Sequence, residues 1–292
     1  MRRKRRILYL SSFSVFCAAV LFVWTESAER EAHFTPDYEK ISLEDFLGKA
    51  ELADEDYAVI FGQTGLARPG VDELCRLGRQ SELLCLQERF FTPMEYHCSG
   101  SYVICRSERL DGEETGETAG FLPTAHTGDI LITFSGHVFG WRSGHAAIVV
   151  DGEKGLTLEA ISPGCNSCLC ELSHWREYPQ FVLLRPKNLT EQECGEIAAY
   201  AVENMSNIPY DLFQRAERGN GQGGTGTGDA TPPEDTGFAG TQCAHLVWAV
   251  YYHFGYDLDS DGGYIVTPMD LCRSGLLEVV QVYGIDAKKL IK

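Results

Sequence analysis

The stretch TQCAHLVWAVYYHF at 241–254 decides the fold and contains the strongest candidate for chemistry. Large apolar side chains recur in it at the spacing of an amphipathic helix that packs one face into a core, namely Leu246, Val247, Val250, Tyr251 and Phe254. Thr241 is a favoured N-cap residue, which would place Cys243 in the first helical turn. Backbone N–H groups and the helix dipole stabilise a thiolate or an oxyanion there. The stretch also fits an ordinary buried cysteine that begins a helix.

A nucleophilic thiolate needs an imidazole within hydrogen-bond reach and a third group that fixes the ring. The sequence GHAAIVVDGEKGLTLEAI (144–161) predicts a β-hairpin, because apolar runs at 146–150 and 156–160 flank a turn-rich segment. His145 opens the first strand and Glu159 lies near the end of the second. If residues opposite each other in the hairpin have numbers that add up to an even value, His145 and Glu159 project from the same face of the sheet. The Glu159 carboxylate can then hold the His145 ring. An exposed cross-strand pair on a solvated hairpin is the alternative.

Further short motifs follow in a fixed order along the chain. They are GDILITF (128–134), GHAAIVV (144–150), LEAI (158–161), PYD (209–211), QCAHLVW (242–248), DLDSDGG (257–263) and TPMDL (267–271). Together they resemble the circularly permuted NlpC-type cysteine hydrolases of the YiiX kind, over about 122–282. The resemblance implies an α+β, permuted papain-like fold with an antiparallel sheet packed on the nucleophile helix. It also implies Cys243 as nucleophile, His145 as general base and Glu159 as the acid that orients the base.

One departure from that family concerns the residues after the nucleophile. A small polar residue and an acid often follow it in such proteins, whereas this chain has Ala244 and His245. The departure weakens inference of substrate preference and leaves the positions of the three candidate catalytic residues unchanged.

Three side chains are candidates for substrate binding. Trp141 and Arg142 lie on the loop GHVFGWRS (136–143), where an amphipathic ring and a fork of donors suit an anionic or peptidic ligand. Ordinary loop packing explains both residues equally well. By the resemblance, Tyr210 lies near the wall of the cleft. His137 is a second possible base, but a glycine-flanked loop holds it less firmly than a strand would.

The composition sets the size of the core and excludes one class of partner. The chain has 292 residues, of which 44% are hydrophobic and 11% aromatic, enough for one full core and a smaller appendage. Its formal net charge is −17 and its pI is near 4.9. Binding of nucleic acid through phosphates needs a basic surface, so we predict no nucleic-acid partner.

The N-terminus has the pattern of a membrane-targeting segment. Residues 1–6 are strongly basic and 7–24 are uncharged. We predict a signal anchor at 1–26, a polar tether at 27–40, and the rest of the chain outside the cytoplasmic membrane. A leader that is cleaved to leave a secreted protein is the alternative.

The remaining chain divides into two predicted parts. Helical patterns to about Glu108 and a polar loop after them predict a helical subdomain and loop at 41–120. The permuted NlpC-like hydrolase domain follows at 121–292. Inside it, the glycine-rich segment 219–240 has almost no large apolar residue and predicts a flexible insertion directly before the Cys243 helix.

Cysteines and aspartates raise the question of disulfides and metals. The chain has 11 cysteines, and a C-x2-C-x-C cluster at 165–170 would need His174 as a fourth metal ligand. Local disulfides or free thiols are favoured there. Residues 257–262 copy the opening of a calcium loop, whereas Pro268 stands at the position of its bidentate acid. We therefore predict neither a metal nor a cofactor.

Together these observations predict a membrane-anchored, extracytoplasmic thiol hydrolase that cleaves an amide bond through Cys243, His145 and Glu159. Its location makes a cell-wall peptide the expected substrate, by analogy with the NlpC-type group. One alternative is a lipid acyl ester hydrolase or acyltransferase of the lecithin-retinol acyltransferase type, whose N-C-E-H-F motif QCAHL (242–246) distantly resembles. The other is a non-catalytic module that binds the cell wall.

Overall fold

Two antiparallel β-sheets and the helices packed on them make up the computed structural model, which confirms the α+β class. The structure describes residues 12–21, 23, 32–49, 51–102, 105–110, 125–138, 141–218 and 238–286. Residues 12–21 are helical, and the numbered elements begin at residue 44.

Helices and strands are numbered separately in chain order. The helices are α1 (Glu44–Leu47), α2 (Asp54–Thr64), α3 (Arg68–Arg76), α4 (Glu82–Phe91), α5 (Glu191–Met205), α6 (Cys243–His253) and α7 (Pro268–Arg273), with a 3-10 helix at Leu172–Glu177. The strands are β1 (Tyr96–Tyr102), β2 (Cys105–Leu110), β3 (Ile130–Thr133), β4 (Gly136–Val138), β5 (Trp141–Arg142), β6 (His145–Asp151), β7 (Leu156–Glu159), β8 (Cys168–Glu171), β9 (Phe181–Pro186) and β10 (Leu277–Tyr283).

The larger sheet has the strand order β10-β9-β3-β6-β7-β8, and each neighbouring pair is antiparallel. Its central strands are apolar on both faces because both faces are covered. One face packs against α5 and α6 through residues such as Ile130, Ala146 and Ile148. The opposite face packs against Trp175 and neighbouring aromatic side chains. The sheet is thus the middle layer of the core.

Helix α6 is buried more completely than the sequence predicts. Its apolar spacing predicts one face in the core, yet every residue from Cys243 to Tyr252 is buried. The sheet covers one side of the helix, and α5 and α7 contact others. Because the N-terminus of α6 meets β6 in this interior, Cys243 and His145 come to one place.

In the region predicted as a helical subdomain and loop at 41–120, the helices end at Phe91 and not near Glu108. Strands β1 and β2 follow α4 as a hairpin. This hairpin pairs with β4, which pairs with β5, in a separate sheet of order β1-β2-β4-β5. The predicted loop at 136–143 therefore contains two short strands. Pairing with partners distant in sequence overrides local helical preference in this region.

The α2–α4 region is joined to the larger sheet through backbone contacts. Ala67 N–H donates to Val280 O at 2.9 Å, and Val282 N–H donates to Gly65 O at 2.8 Å. Gly65 has φ of 70°, and a Cβ atom there would lie 1.9 Å from Val282 O. Only glycine permits this close approach, so the junction depends on a residue without a side chain.

The N-terminal and glycine-rich predictions fall mostly outside the described residues. Of the predicted anchor at 1–26, the structure describes 12–21 and 23, and of the insertion at 219–240 it describes 238–240. No helix within the described ranges has the length and apolar character needed to cross a bilayer. Both segments remain predictions.

Candidate active site

Cys243 is the first residue of α6, as the sequence predicts, but the N-cap is Gln242 and not Thr241. The side-chain oxygen of Gln242 accepts a hydrogen bond from Ala244 N–H at 2.9 Å. Thr241 cannot serve as the cap because its backbone is paired with the segment 209–211 on both sides. The thiol lies at the helix entrance, where backbone N–H groups point outward.

His145 and Glu159 form the pair that the hairpin register predicts. Ile148 lies opposite Leu158, an even register that puts the two side chains on one face, a diagonal apart. His145 Nε2 and Glu159 Oε2 are 2.7 Å apart. The carboxylate thus lies within hydrogen-bond reach of the ring, and both residues are buried.

The Glu159 carboxylate is fully buried and surrounded by donors. Its Oε1 accepts hydrogen bonds from Thr157 Oγ1 at 2.5 Å and from Trp175 Nε1 at 2.9 Å. His174 Nε2 lies 3.3 Å from the same oxygen. Burial alone would raise the pKa of Glu159, but the hydrogen bonds from His145 and His174 hold it well below its usual range. The carboxylate is therefore ionised and cannot rotate freely.

His145 and Cys243 line the same cavity, and the Cys243 thiol donates to the side-chain oxygen of Gln242 at 3.5 Å. Because Nε2 of His145 is bonded to Glu159, Nδ1 is the nitrogen left for the thiol. Burial lowers the pKa of His145, but the influence of Tyr178 and the hydrogen bonds to Cys243 and Glu159 raise it well above its ordinary value. Trp175 stacks on the ring at 5.6 Å between centroids, with 14° between the planes. The ring is thus held on its edge and on its face.

Cys243 and His145 line a cavity of about 410 Å³. Of the predicted binding residues, Tyr210 and Arg142 also line it, whereas Trp141 does not. Trp141 is 65% exposed, because its place in the two-residue strand β5 turns the side chain to solvent. The structure therefore does not place Trp141 among the residues that line the cavity.

Arg142 and Tyr210, the two predicted binding residues that line the cavity, differ in what they offer a ligand. The Arg142 guanidinium donates to both carboxylate oxygens of Glu108, at 2.7 and 2.9 Å, and to Phe134 O at 3.0 Å. Its charge is already compensated. Burial, and then proximity to Cys243, raises the pKa of the Tyr210 phenol, so this side chain is a neutral hydrogen-bonding group at the wall.

A second buried imidazole lies in the same cavity. His137 Nε2 is 3.0 Å from Glu108 Oε1, and both residues are buried. Burial raises the pKa of Glu108, but hydrogen bonds from His137 and Arg142 lower it overall. Within the described ranges, His137 Nδ1 has no hydrogen-bond partner. The sequence offers no reason to join Glu108 to this cavity, because its pattern predicts helix where β2 lies.

Three neighbours of Glu159 are missed by reasoning from the sequence. Strand alternation could have indicated Thr157, which lies two residues before Glu159 on the same face. Trp175 and His174 reach the site from the 3-10 helix, whose position depends on tertiary packing. The sequence suggests His174 only as a fourth ligand for the cysteine cluster, whereas the structure places it on Glu159.

The acidic loop and the cysteine cluster lie apart from this cavity. Carboxylate oxygens of Asp259, Asp261 and Asp270 come within 4.8 Å of one another. Arg218 already donates to Asp259, and also to Asp257 at 3.3 Å, so a guanidinium compensates part of this charge. All cysteines in the described residues are free thiols, and 3.8 Å separates the sulfurs of the 168–170 pair.

No family model, curated protein or solved structure matches this chain. The chemistry of the site is therefore inferred from its geometry. That geometry is a thiol and an imidazole on one cavity, with a carboxylate bonded to the imidazole, and attack on a carbonyl carbon needs these three groups.

Proposed function

We propose that the chain is a thiol hydrolase whose nucleophile is the Cys243 sulfur. The observation that carries the proposal is that Cys243 and His145 line one cavity, with Glu159 bonded to Nε2 of the imidazole at 2.7 Å. A carboxylate on Nε2 leaves Nδ1 for the thiol. The raised pKa of His145 supports its role as the group that takes the thiol proton.

The proposed reaction proceeds through a thioester. The Cys243 sulfur gives its proton to His145 and attacks the carbonyl carbon, so that a C–S bond forms. The C–N bond of the amide then breaks, and His145 gives the proton to the leaving amine. Water attacks the thioester carbon while His145 accepts a proton from it. When the C–S bond breaks, that proton returns to the sulfur.

The oxyanion requires a donor near the sulfur. The Ala244 N–H donates to the Gln242 side chain, so it is occupied while the cap is formed. The N–H of Cys243 itself, at the first position of α6, is the backbone donor nearest to the reacting atoms. We therefore assign the oxyanion to this group.

An amide bond in a cell-wall peptide is the proposed substrate, and the proposed fold is the permuted papain-like one. The order of the motifs along the chain and the antiparallel sheet packed on α6 support the fold. The basic and apolar N-terminus supports a catalytic part outside the cytoplasmic membrane, where such peptides are found.

The lining of the cavity favours a second candidate, hydrolysis or transfer of a lipid acyl ester. Ile161, Ile265 and Met269 give the cavity an apolar wall that would suit an acyl chain. Attack on an ester uses the same thiol and the same imidazole, and an alcohol leaves in place of the amine. The two candidates therefore differ in substrate and not in catalytic residues.

Turnover of isolated cell-wall peptides and of defined acyl lipids tests both candidates. We expect the intact chain to release new peptide fragments and Cys243→Ala to release none, with an unchanged thermal transition. Cys85→Ala is the matched control, because Cys85 is an exposed thiol on α4. Release of fatty acid without peptide cleavage would select the lipid candidate. Cleavage that persists in Cys243→Ala would refute the thiol mechanism, and peptide binding without turnover would indicate a wall-binding module.

A further inference from the structure

Arg109 brings a positive charge to the cavity of the proposed nucleophile. It belongs to β2, lines the same cavity as Cys243 and His145, and its Nη1 is buried. Among the described residues, Nη1 has no hydrogen-bond partner and Arg109 forms no ion pair. A buried donor left unpaired costs free energy, and more when it is charged. A ligand that satisfies it would recover this free energy.

Arg109 lines the cavity together with Cys105 and Ser107 of the same strand. Cys105 is close enough to Tyr210 to influence its phenol. The Arg109 guanidinium lies 3.7 Å from the centre of the Tyr178 ring. Tyr178 contacts Trp175, and Trp175 stacks on His145. Arg109 therefore lies at one end of a series of aromatic contacts, and the proposed general base His145 lies at the other end.

Charges around the cavity favour an anion at Arg109. The other cavity arginine that is largely buried, Arg142, is compensated by Glu108. His145 is compensated by Glu159. A neutral carbonyl would satisfy the N–H of Arg109 but would leave its positive charge unbalanced. A carboxylate would satisfy the N–H and also balance the charge. A doubly charged phosphate would exceed the single positive charge of this guanidinium.

We propose that Arg109 determines specificity by binding a carboxylate group of the peptide substrate next to the bond that Cys243 attacks. This inference rests on the proposed function, since it assigns a ligand to the same cavity. The guanidinium donates from Nη1 to the carboxylate, while stacking on Tyr178 holds its plane. No step of the reaction requires Arg109 to exchange a proton.

Alkylation of Cys243 by iodoacetate and by iodoacetamide tests the assignment. The two reagents differ by a carboxylate against a carboxamide, and modification of the Cys243 peptide is followed by mass spectrometry at about pH 6. We expect the ratio of the iodoacetate rate to the iodoacetamide rate to fall about tenfold in Arg109→Gln, from the loss of one charged hydrogen bond. The matched control is Arg176→Gln, an exposed position that loses the same charge.

The two proposals fail in different ways. If iodoacetamide modifies Cys243 no faster than the exposed Cys85 of the same chain, the thiol is not activated and the proposed function fails. If Cys243 reacts rapidly but Arg109→Gln leaves the ratio unchanged, or Arg176→Gln lowers it equally, Arg109 does not bind the carboxylate. The neutral reagent also reports on folding, because a disordered site would lower its rate.

Protection of Cys243 from iodoacetamide can be measured on the unchanged protein, so this test does not depend on the folding of a variant. We expect N-acetylglycine to slow iodoacetamide modification of Cys243 and N-acetylglycinamide to slow it less at the same concentration. Equal protection by both compounds would overturn the carboxylate assignment. Stronger protection by dimethyl phosphate than by N-acetylglycine would overturn it in favour of a phosphodiester, as in a lipid headgroup.

Discussion

Two buried imidazole–carboxylate pairs place their imidazoles on one cavity, and they differ in what they contact. His145 and Glu159 are 2.7 Å apart, and His137 and Glu108 are 3.0 Å apart. In both pairs the histidine uses Nε2, so geometry within the pair does not distinguish them. The difference lies in what each pair touches next. Cys243 lies close enough to His145 to help raise the pKa of its imidazole, whereas His137 Nδ1 has no hydrogen-bond partner in the described part of the chain.

The carboxylates also differ in how their charge is balanced. Glu108 accepts two hydrogen bonds from the Arg142 guanidinium, which carries a permanent positive charge. Glu159 accepts from the neutral donors Thr157 and Trp175, so the histidines beside it are the groups that compensate its charge. A carboxylate whose charge is compensated by the imidazole beside it favours protonation of that imidazole. We infer that the surroundings of the carboxylate select His145 as the base.

The largest expected effect separates the two histidines. His145→Asn removes the proton acceptor of Cys243, and we expect iodoacetamide modification of Cys243 and turnover to fall about 10²–10⁴-fold. His137→Asn should change either rate by less than about threefold, because the ring of His137 is bonded to Glu108 rather than to the thiol. Both rates are measured at one pH. A comparable fall in the two variants would show that the pairs are equivalent and would break the comparison.

The second expected effect separates the two carboxylates by what they stabilise. Glu159→Gln removes the charge that favours the imidazolium and presents an amide N–H₂ to existing donors. We expect the rate to fall about 10²-fold. Glu108→Gln should reduce the free energy of unfolding by about 3–5 kcal/mol, because it leaves the largely buried Arg142 charge uncompensated.

Rates of Cys243 modification and denaturant unfolding curves, measured for both variants, check whether Glu159 supports the rate and Glu108 supports the stability. For Glu108→Gln we expect modification of Cys243 to remain close to that of the intact chain at temperatures where the variant is folded. The distinction fails if Glu108→Gln loses as much rate as Glu159→Gln while remaining folded. It also fails if Glu159→Gln shows the larger loss of stability and no loss of rate.

The positions of the three proposed catalytic residues could be predicted from sequence because they depend on local rules. Helical spacing after Thr241 places Cys243 at a helix start, and an even hairpin register puts His145 and Glu159 on one face. The α+β class follows from the same elements. These properties are set within short segments, where side-chain period and turn length decide the outcome.

The surroundings of the pair could not be predicted because they depend on packing between distant segments. Because the sequence pattern predicts helix as far as Glu108, it does not reveal strand β2 or the second sheet. It therefore also misses Arg109, and it misses Glu108 as the partner of Arg142. Trp141 is expected at the cleft but points to solvent, since a two-residue strand fixes its direction. The position of the 3-10 helix that brings Trp175 to His145 has no local signal.

The pH dependence of the free energy of unfolding tests whether the folded protein favours the protonated form of His145. Its pKa is raised in the folded protein, so its contribution is fully present below its ordinary pKa of 6.5 and is lost as pH rises through the folded value. The pKa of Glu159 is lowered, so that contribution is present above 4.5 and is lost as pH falls toward the folded value. The pair is therefore most stabilising between these limits. We expect His145→Asn to lower Tm by roughly a few °C more at about pH 5.5 than at about pH 9.

Melting curves of the intact chain and His145→Asn at both pH values give this difference directly. Each comparison uses the same buffer ionic strength, because screening alters exposed charges. A larger effect of the substitution at the alkaline pH would mean that His145 is stabilised in its neutral form. That result would remove the imidazolium from the proposed mechanism.

The smallest expected effect tests one donor to Glu159. Trp175→Phe removes the Nε1–H that lies 2.9 Å from Glu159 Oε1 but retains an aromatic ring to stack on His145. Thr157 and His174 still contact that oxygen, so we expect about a tenfold loss of Cys243 modification at most, from about 1 kcal/mol for one hydrogen bond. The matched control is Trp248→Phe, which removes a similar bond to Asp257 at 2.8 Å. Equal slowing in both variants would indicate general loosening of the core, whereas slowing confined to Trp175→Phe would show that orientation of Glu159 is transmitted to the thiol.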